Sequence, residues 1–358
     1  MFNDIYKGKK ILVTGHQGFC GSWLTLWLEH LGAKVTGFGR PARTEPNHYD
    51  LLHKHESPLT RRDGMLYMRA EQDLRTASQI SGVIQHGQPD LVIHLAAKAI
   101  VAKTFEEPQI TFDNNVMGAV NLLEAVRQHK CVKGIVFITT DKVYQDRNWQ
   151  WGYREESDEL GGDDPYSVSK VCAEHIIKCY RENYSLNVAV VRAGNVIGGG
   201  DWSYKRLIPD IAAATSRNET VVIHTPHATR PWQHVLEALN GYLLLGEAIL
   251  RGSDVNGAYN FGSESELTVL QVLLRAKTIW DDIQWEVDHK PTHPHMVYKL
   301  RLDNTKARNE LGWKPVWDIN HAIEKTIAWY KNFYAFGVTT SLQDIINFEA
   351  DAVTARGA

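Results

Sequence analysis

Cysteine is scarce in this 358-residue chain: Cys20, Cys131, Cys172 and Cys179 are all of it. No two stand in a C-x-x-C or other zinc spacing, so they predict free thiols in a reducing compartment. Long apolar runs are missing too. Nothing approaches the roughly 20 residues of a membrane span, and the N-terminal MFNDIYKGKK lacks the charged and apolar regions of a signal peptide. A cytoplasmic protein without membrane contact is expected. Charge of one sign is also in short supply. The 39 Lys and Arg and 42 Asp and Glu leave a net charge of −3. No basic block occurs, which removes the electrostatic basis for nucleic-acid binding. The 16 histidines are scattered. His293 and His295 stand close together, but no further ligand joins them in sequence, and no metal is expected. Internal repeats and low-complexity tracts are absent from the sequence.

What is present is an alternation. Short β-rich apolar runs occur at Lys10–Thr14, Lys34–Phe38, Asp90–His94, Gly134–Thr139 and Val188–Arg192. Helical spacing marks Trp23–Leu31, Gln109–Gln128 and Tyr166–Tyr180, then His234–Leu250 and Thr268–Ile279. Strand, helix, strand in repetition predicts an α/β fold with a Rossmann-type, doubly wound parallel sheet. The rhythm loosens after Arg192, where glycine, proline and tryptophan gather in GGGDW (198–202), HTPHATRPW (224–232) and KPTHPH (290–295). The expected division is a Rossmann domain at 1–192, to which 233–262 return. Residues 193–232 and 263–358 then form a smaller, largely C-terminal, substrate-binding lobe.

Between the first strand and first helix lies a G-x-x-G-x-x-G loop: Gly15, Gly18 and Gly21, with Gln17, Phe19 and Cys20 between them. Glycine permits the tight turn and a close approach of the backbone to a diphosphate, and the helix N-terminus supplies N–H groups. In a strand–loop–helix setting this predicts a dinucleotide site. The second strand ends in Gly37-Phe38-Gly39-Arg40, without the acid that usually holds a ribose 2′-OH. Arg40 is either a partner for a 2′-phosphate or a solvent-exposed loop residue. Asp73-Leu74, before the next helix, suits a contact near an adenine or a helix N-cap.

Tyr166 and Lys170 form a Y-x-x-x-K pair, on one helix face because i and i+4 coincide there. The ammonium is expected to lower the phenol's pKa, so that the phenolate takes a hydroxyl proton while hydride leaves the same carbon. Upstream, Thr139-Thr140-Asp141-Lys142 ends the fifth strand. A hydroxyl, a carboxylate and an amine at that edge face the cofactor crevice.

Longer stretches narrow the reading. GHQGFCGSWLT (15–25), NVMGAVNLLEAVR (115–127), TTDKVY (139–144), WGYREESDELGGDDPYSVSK (151–170), RAGNVIGGGDW (192–202), RLIPDI (206–211) and RPWQHVLE (230–237) resemble the CDP-glucose 4,6-dehydratases, within the extended short-chain dehydrogenases. The likeness runs from the first strand to LGWKP (311–315). It implies bound NAD, held by the glycine loop with Arg40, Asp73, Leu74, Leu95, Ala96, Ala97, Asn115, Thr139, Tyr166 and Lys170. It also implies an internal redox cycle. Tyr166 takes the C4 hydroxyl proton as hydride passes to NAD, water leaves from C5 and C6, and hydride returns to C6. Thr140 would hydrogen-bond the C4 oxygen, Asp141 act as acid at the C6 oxygen and Lys142 as base at C5. The dTDP-glucose enzymes carry a glutamate in place of Lys142. Lys98, Asn195, Arg206, Leu207 and Arg230 would contact the sugar nucleotide. Related enzymes pair through two long helices, so Gln109–Gln128 and Tyr166–Tyr180 predict a homodimer or a dimer of dimers. Lys98, Ala102 and Phe105 replace the family's glutamine, arginine and tyrosine and bear on which sugar is taken. Dehydration or 4-epimerisation of another nucleoside diphosphate hexose is the alternative.

Overall fold

The computed structural model describes residues 1–53, 66–67, 72–255, 257–288 and 300–357. His293 and His295 lie outside them. The first half runs β1 (Lys10–Thr14), α1 (Phe19–His30), β2 (Lys34–Phe38), α2 (His48–Leu52), β3 (Leu66–Tyr67), α3 (Ala77–Gly87) and β4 (Leu91–His94). It continues with α4 (Val101–Glu106), α5 (Pro108–Phe112), α6 (Gly118–Gln128), β5 (Ile135–Ile138), α7 (Pro165–Tyr184) and β6 (Val188–Ala193). A later strand, Gly257–Phe261, returns to pair with β6. The sheet order is that strand, then β6-β5-β4-β1-β2-β3, and every pairing is parallel. The direction of winding reverses between β1 and β4, and the crevice beyond the strands' C-terminal ends opens there.

The strands alternate faces with period two. Ile11 and Val13 join one buried cluster with Trp23, Leu24 and Trp27 of α1 and with a deeply buried helix, Val235–Leu250. Leu12, Val92 and Phe137 point the other way, into a cluster with Ile80, Leu122 and Ile177 from α3, α6 and α7. Two buried faces explain why these strands are apolar throughout rather than alternating.

Three elements differ from the expected bounds by more than one residue at an end. Helix α1 begins at Phe19, four residues before the periodic stretch at Trp23, because Gly18 serves as N-cap and Gly21 packs on the loop itself. The stretch expected as one helix over Gln109–Gln128 is α5 and α6 joined by a π turn at Asp113–Met117. Helix α7 runs past Tyr180 to Tyr184 and ends at Ser185, which is left-handed at φ 55°.

The later residues lock onto α1. Trp23 Nε1 donates to Gly199 O at 2.8 Å. His48 links Ser22 (2.8 Å) to Ser341 (2.7 Å) at the head of the helix Ser341–Gly357. A Cβ on Gly199 would collide with the Trp329 ring of the helix Ile319–Phe336, so the G-G-G turn at 198–200 is a packing requirement. Among the described residues no helix is long and apolar enough to cross a membrane. All four cysteines are free thiols.

Candidate active site

One cleft follows the C-terminal ends of β1, β2, β4 and β5. The glycine loop is its floor. Gly15 is left-handed at φ 76°, and a Cβ on it would lie 2.8 Å from Ala96 N. One on Gly21 would collide with Gly15 O. No side chain caps α1 at Gly18, so its first N–H groups are available to an anion. This cradle fits a dinucleotide diphosphate. Gln17, Phe19 and Cys20 line it as well. His16, which sequence reasoning passed over, lies buried against Gly37, and burial lowers its pKa to about 4. The signal was Gly37 itself: a glycine in mid-strand marks a close approach.

Leu95, Ala96 and Ala97 form the wall above β4, with Lys98 buried behind them. Arg40 lines the cleft and donates to Asn114 Oδ1 at 3.2 Å. Asp73 also lines it, and the N-cap position of α3 is Thr76 rather than Asp73. The Arg75 guanidinium, 2.7 Å away, holds the Asp73 carboxyl below its usual range. Leu74 turns its side chain into the core against Gly118. Asn115 does not reach the cleft wall. Its Oδ1 accepts from Lys98 N (2.8 Å) and its Nδ2 donates to Ser169 Oγ (2.9 Å), tying the segment after β4 to α7 beside Lys170. Thr139 lines the cleft, with its hydroxyl donating to Glu174 Oε1 at 2.7 Å.

Thr140, Asp141, Lys142, Tyr166 and Lys170 all meet in the cleft. Helix α7 supplies the last two. Its Asp164 cap accepts from Tyr166 N and Ser167 N, and Pro165 takes the first helical position, where no N–H is needed. The Thr140 hydroxyl bonds the Tyr166 phenol and donates to Asp141 Oδ1 at 3.1 Å. Asp141 Oδ2 is buried without a partner. Burial raises the Asp141 carboxyl to about 6, against the pull of Lys142 and Arg230. Lys142 Nζ stands 4.0 Å from Asp164 Oδ2. Burial also raises Tyr166 to about 12, and it lowers Lys170 to about 8. The expected depression of the phenol by the ammonium does not appear: desolvation dominates Tyr166, and Lys170 is not among the groups that act on it. Lys170 Nζ instead donates to Ile138 O at 3.0 Å.

Asn195, Arg206 and Leu207 line the opposite wall, with Arg206 3.4 Å from Asp201. Arg230 does not line the cleft. It donates to Thr229 O at 2.7 Å and is felt by Asp141 through its charge.

Residues 12–326 match the family described as GDP-mannose 4,6 dehydratase. The chain belongs to that family. A CDP-glucose 4,6-dehydratase of Salmonella typhimurium is 39% identical over 341 residues, 92% of each chain. A dTDP-glucose 4,6-dehydratase of Xanthomonas campestris is 25% identical over 89% of this chain and 92% of the relative. The fold matches the dTDP-glucose 4,6-dehydratase of Bacillus anthracis in complex with NAD (TM-score 0.73, 24% identity, 91% and 97% covered). It also matches the UDP-glucose 4-epimerase of Thermotoga maritima with UDP-glucose (TM-score 0.76, 24% identity, 90% and 99% covered).

Beneath the cleft of this 4,6-dehydratase family member lies a network that sequence reasoning missed. Glu174 and Arg192 form a buried pair at 2.5 Å. Arg192 also donates to the Tyr144 hydroxyl (2.9 Å), which donates to Asn260 Oδ1 (2.9 Å). Glu174 lies one turn beyond Lys170, so extending the i, i+4 pattern by one step would have found it.

Proposed function

We propose that the protein is an NAD-dependent CDP-glucose 4,6-dehydratase, a hydro-lyase forming a 4-keto-6-deoxy sugar. The observation that carries the reading is the meeting of Thr140-Asp141-Lys142 with Tyr166 and Lys170 across one cleft. The 39% identity to a CDP-glucose enzyme supports the nucleotide and sugar. Bound NAD would supply a hydride acceptor for C4, a donor back to C6, and a ring charge that favours the Tyr166 phenolate. The chain's own groups do the rest. Tyr166 takes the C4 hydroxyl proton, with Thr140 bonding the same oxygen and Lys170 holding the phenol's surroundings. The new ketone acidifies C5–H. Lys142 takes that proton, and Asp141 protonates the departing C6 hydroxyl. An acid buried into the range near 6 keeps a proton closer to neutrality than an ordinary aspartate does. Arg206 and Asn195 bind the diphosphate from the lobe formed by 193–232 and 263–358, and Arg230 tunes Asp141 from behind.

An epimerase needs neither a C5 base nor a C6 acid, so the Thr-Asp-Lys turn favours dehydration. Incubation with CDP-glucose should give the base-labile absorbance of a 4-keto sugar. Conversion to CDP-galactose instead, or activity only on another nucleoside diphosphate hexose, would overturn the assignment. We further propose a cytoplasmic homodimer. Ile110 and Met117 are exposed apolar side chains on the expected pairing stretch Gln109–Gln128, with Phe105 just before it on α4 and Tyr184 at the end of α7. A monomer at micromolar concentration in light scattering would overturn that part.

A further inference from the structure

The chain leaves the turn Asp141–Val143 and returns beside it before entering α7. On its return it bridges to the turn's exit in antiparallel fashion. Gln145 N donates to Glu159 O at 2.9 Å, Gly161 N donates to Val143 O at 2.8 Å, and Tyr144 stands opposite Leu160. Two glycines allow the approach. A Cβ on Gly161 would collide with Gln145. Gly162 is left-handed at φ 113°, and a Cβ on it would lie 2.8 Å from Ser167 Oγ. The path brings Asp164 to the head of α7 with its carboxyl between the helix and the turn.

The two oxygens of that carboxyl serve different elements. Oδ1 accepts from Tyr166 N at 2.9 Å and from Ser167 N at 3.0 Å, and so caps the helix that carries Tyr166 and Lys170. Oδ2 stands 4.0 Å from Lys142 Nζ, with the carboxyl mostly buried and the lysine partly exposed. The neighbouring Asp163 is exposed. A lysine carries its charge at the end of a flexible four-carbon stem. The Thr140 hydroxyl holds the Lys142 backbone N–H, a bond that does not fix the amine. Asp141, on the same turn, is buried and accepts from Thr140. Among the described residues, Asp164 is the carboxylate within ion-pair reach of the Lys142 amine.

We propose that Asp164 is a positioning residue for Lys142: one oxygen orders the helix behind the first proton transfer, and the other holds the amine that makes the second. The proposal rests on reading Lys142 as the C5 base. The carboxylate restricts where the amine can go. It also faces the ammonium that forms once Lys142 has taken the C5 proton, and a fixed negative charge beside a base stabilises the cation formed on it.

The test is Asp164→Asn, with the two steps read separately in the holoenzyme on CDP-glucose. Each protein is taken at its own pH maximum, so that the charge state of the amine does not enter. Asparagine caps a helix as well as aspartate does, so the appearance of reduced nicotinamide should stay close to wild type. Exchange of the C5 proton with solvent should fall about 5-fold, the upper range for a partly exposed ion pair. Asp163→Asn removes the same charge one residue earlier and should change neither step. In a Lys142→Met background, Asp164→Asn should cause no further loss of C5 exchange, because the group it positions is gone. If Asp164→Asn fails to fold, Asp164→Ser keeps a capping oxygen without the charged arm and gives the same comparison. Equal loss of both steps, or a loss that adds to that of Lys142→Met, would reduce Asp164 to a helix cap and overturn the proposal. Unimpaired exchange in Asp164→Asn beside an impaired Lys142→Met would also overturn it, while leaving Lys142 as the base. Full turnover by Lys142→Met would overturn the base itself, and the role of Asp164 with it.

Discussion

Tyr166 and Lys170 ride on a 20-residue helix, whereas Asp141 and Lys142 sit on a turn of three residues. The helix carries its own order. A proline at its first position, a capping box at Asp164 and the i, i+4 spacing all act within one segment. The turn has a single side-chain cap, from Lys142 N to the Thr140 hydroxyl at 3.3 Å. It is pinned at one end by Thr139 on Glu174 and at the other by Tyr144 on Arg192 and Asn260. So the pair assigned to redox chemistry is placed by local rules, and the groups assigned to elimination are placed by a buried tertiary network. Chemistry common to many enzymes of a fold can live on the helix, while the outcome is chosen on the turn.

The largest effect should come from the helix side. Tyr166→Phe removes the first proton acceptor, and the appearance of reduced nicotinamide after CDP-glucose addition should slow toward the upper end of about 10²–10⁴-fold. Lys142→Met should separate the two sides. Reduced nicotinamide still forms, but exchange of the C5 proton with solvent falls by about 10²–10⁴-fold. Full turnover by Lys142→Met would return the turn to a structural role.

Glu174→Gln attacks what the two sides share. It leaves Arg192 buried without its counter-charge, so chemical denaturation should show a loss of about 3 kcal/mol. An unchanged stability would mean that the turn is held by something other than the pair. The smallest effect is electrostatic. The Asp141 carboxyl titrates near 6 in the fold against a usual 3.8. Folding therefore takes up a proton between these values. Its contribution is fully present below pH 3.8 and lost as pH rises through 6. Asp141→Asn should flatten that slope of stability against pH, and a slope unchanged in the variant would assign it to another group.

Much of this was legible in the chain. Lys10–Thr14 and Lys34–Phe38 match β1 and β2 residue for residue, because short β-branched runs bounded by turns and glycines leave little choice. Gly15, Gly18 and the Tyr166/Lys170 pair were found because their function demands fixed local spacing. What stayed hidden depends on partners distant in sequence. Thr139 lines the cleft, but the sequence did not show that its hydroxyl serves Glu174, 35 positions away. Arg230 looked like a diphosphate ligand, yet it bonds its own neighbour's carbonyl behind Asp141. The direction of the Tyr166 shift could not be anticipated either, since desolvation depends on how completely parts of the chain distant in sequence bury the phenol.

The π turn at Asp113–Met117 gives the helical run one residue more than a regular helix would spend on the same length. Deleting one residue there would restore 3.6 per turn, but it would also rotate everything before it by about 100° relative to Gly118–Gln128. Asn115 would swing away from Lys98 and Ser169, and Asn114 from Arg40. The irregularity thus works as a phase shifter. One stretch of chain offers its inner face to the core along Gly118–Gln128 while aiming two consecutive asparagines at the back of the cleft, a pair of directions that an uninterrupted helix cannot serve at once.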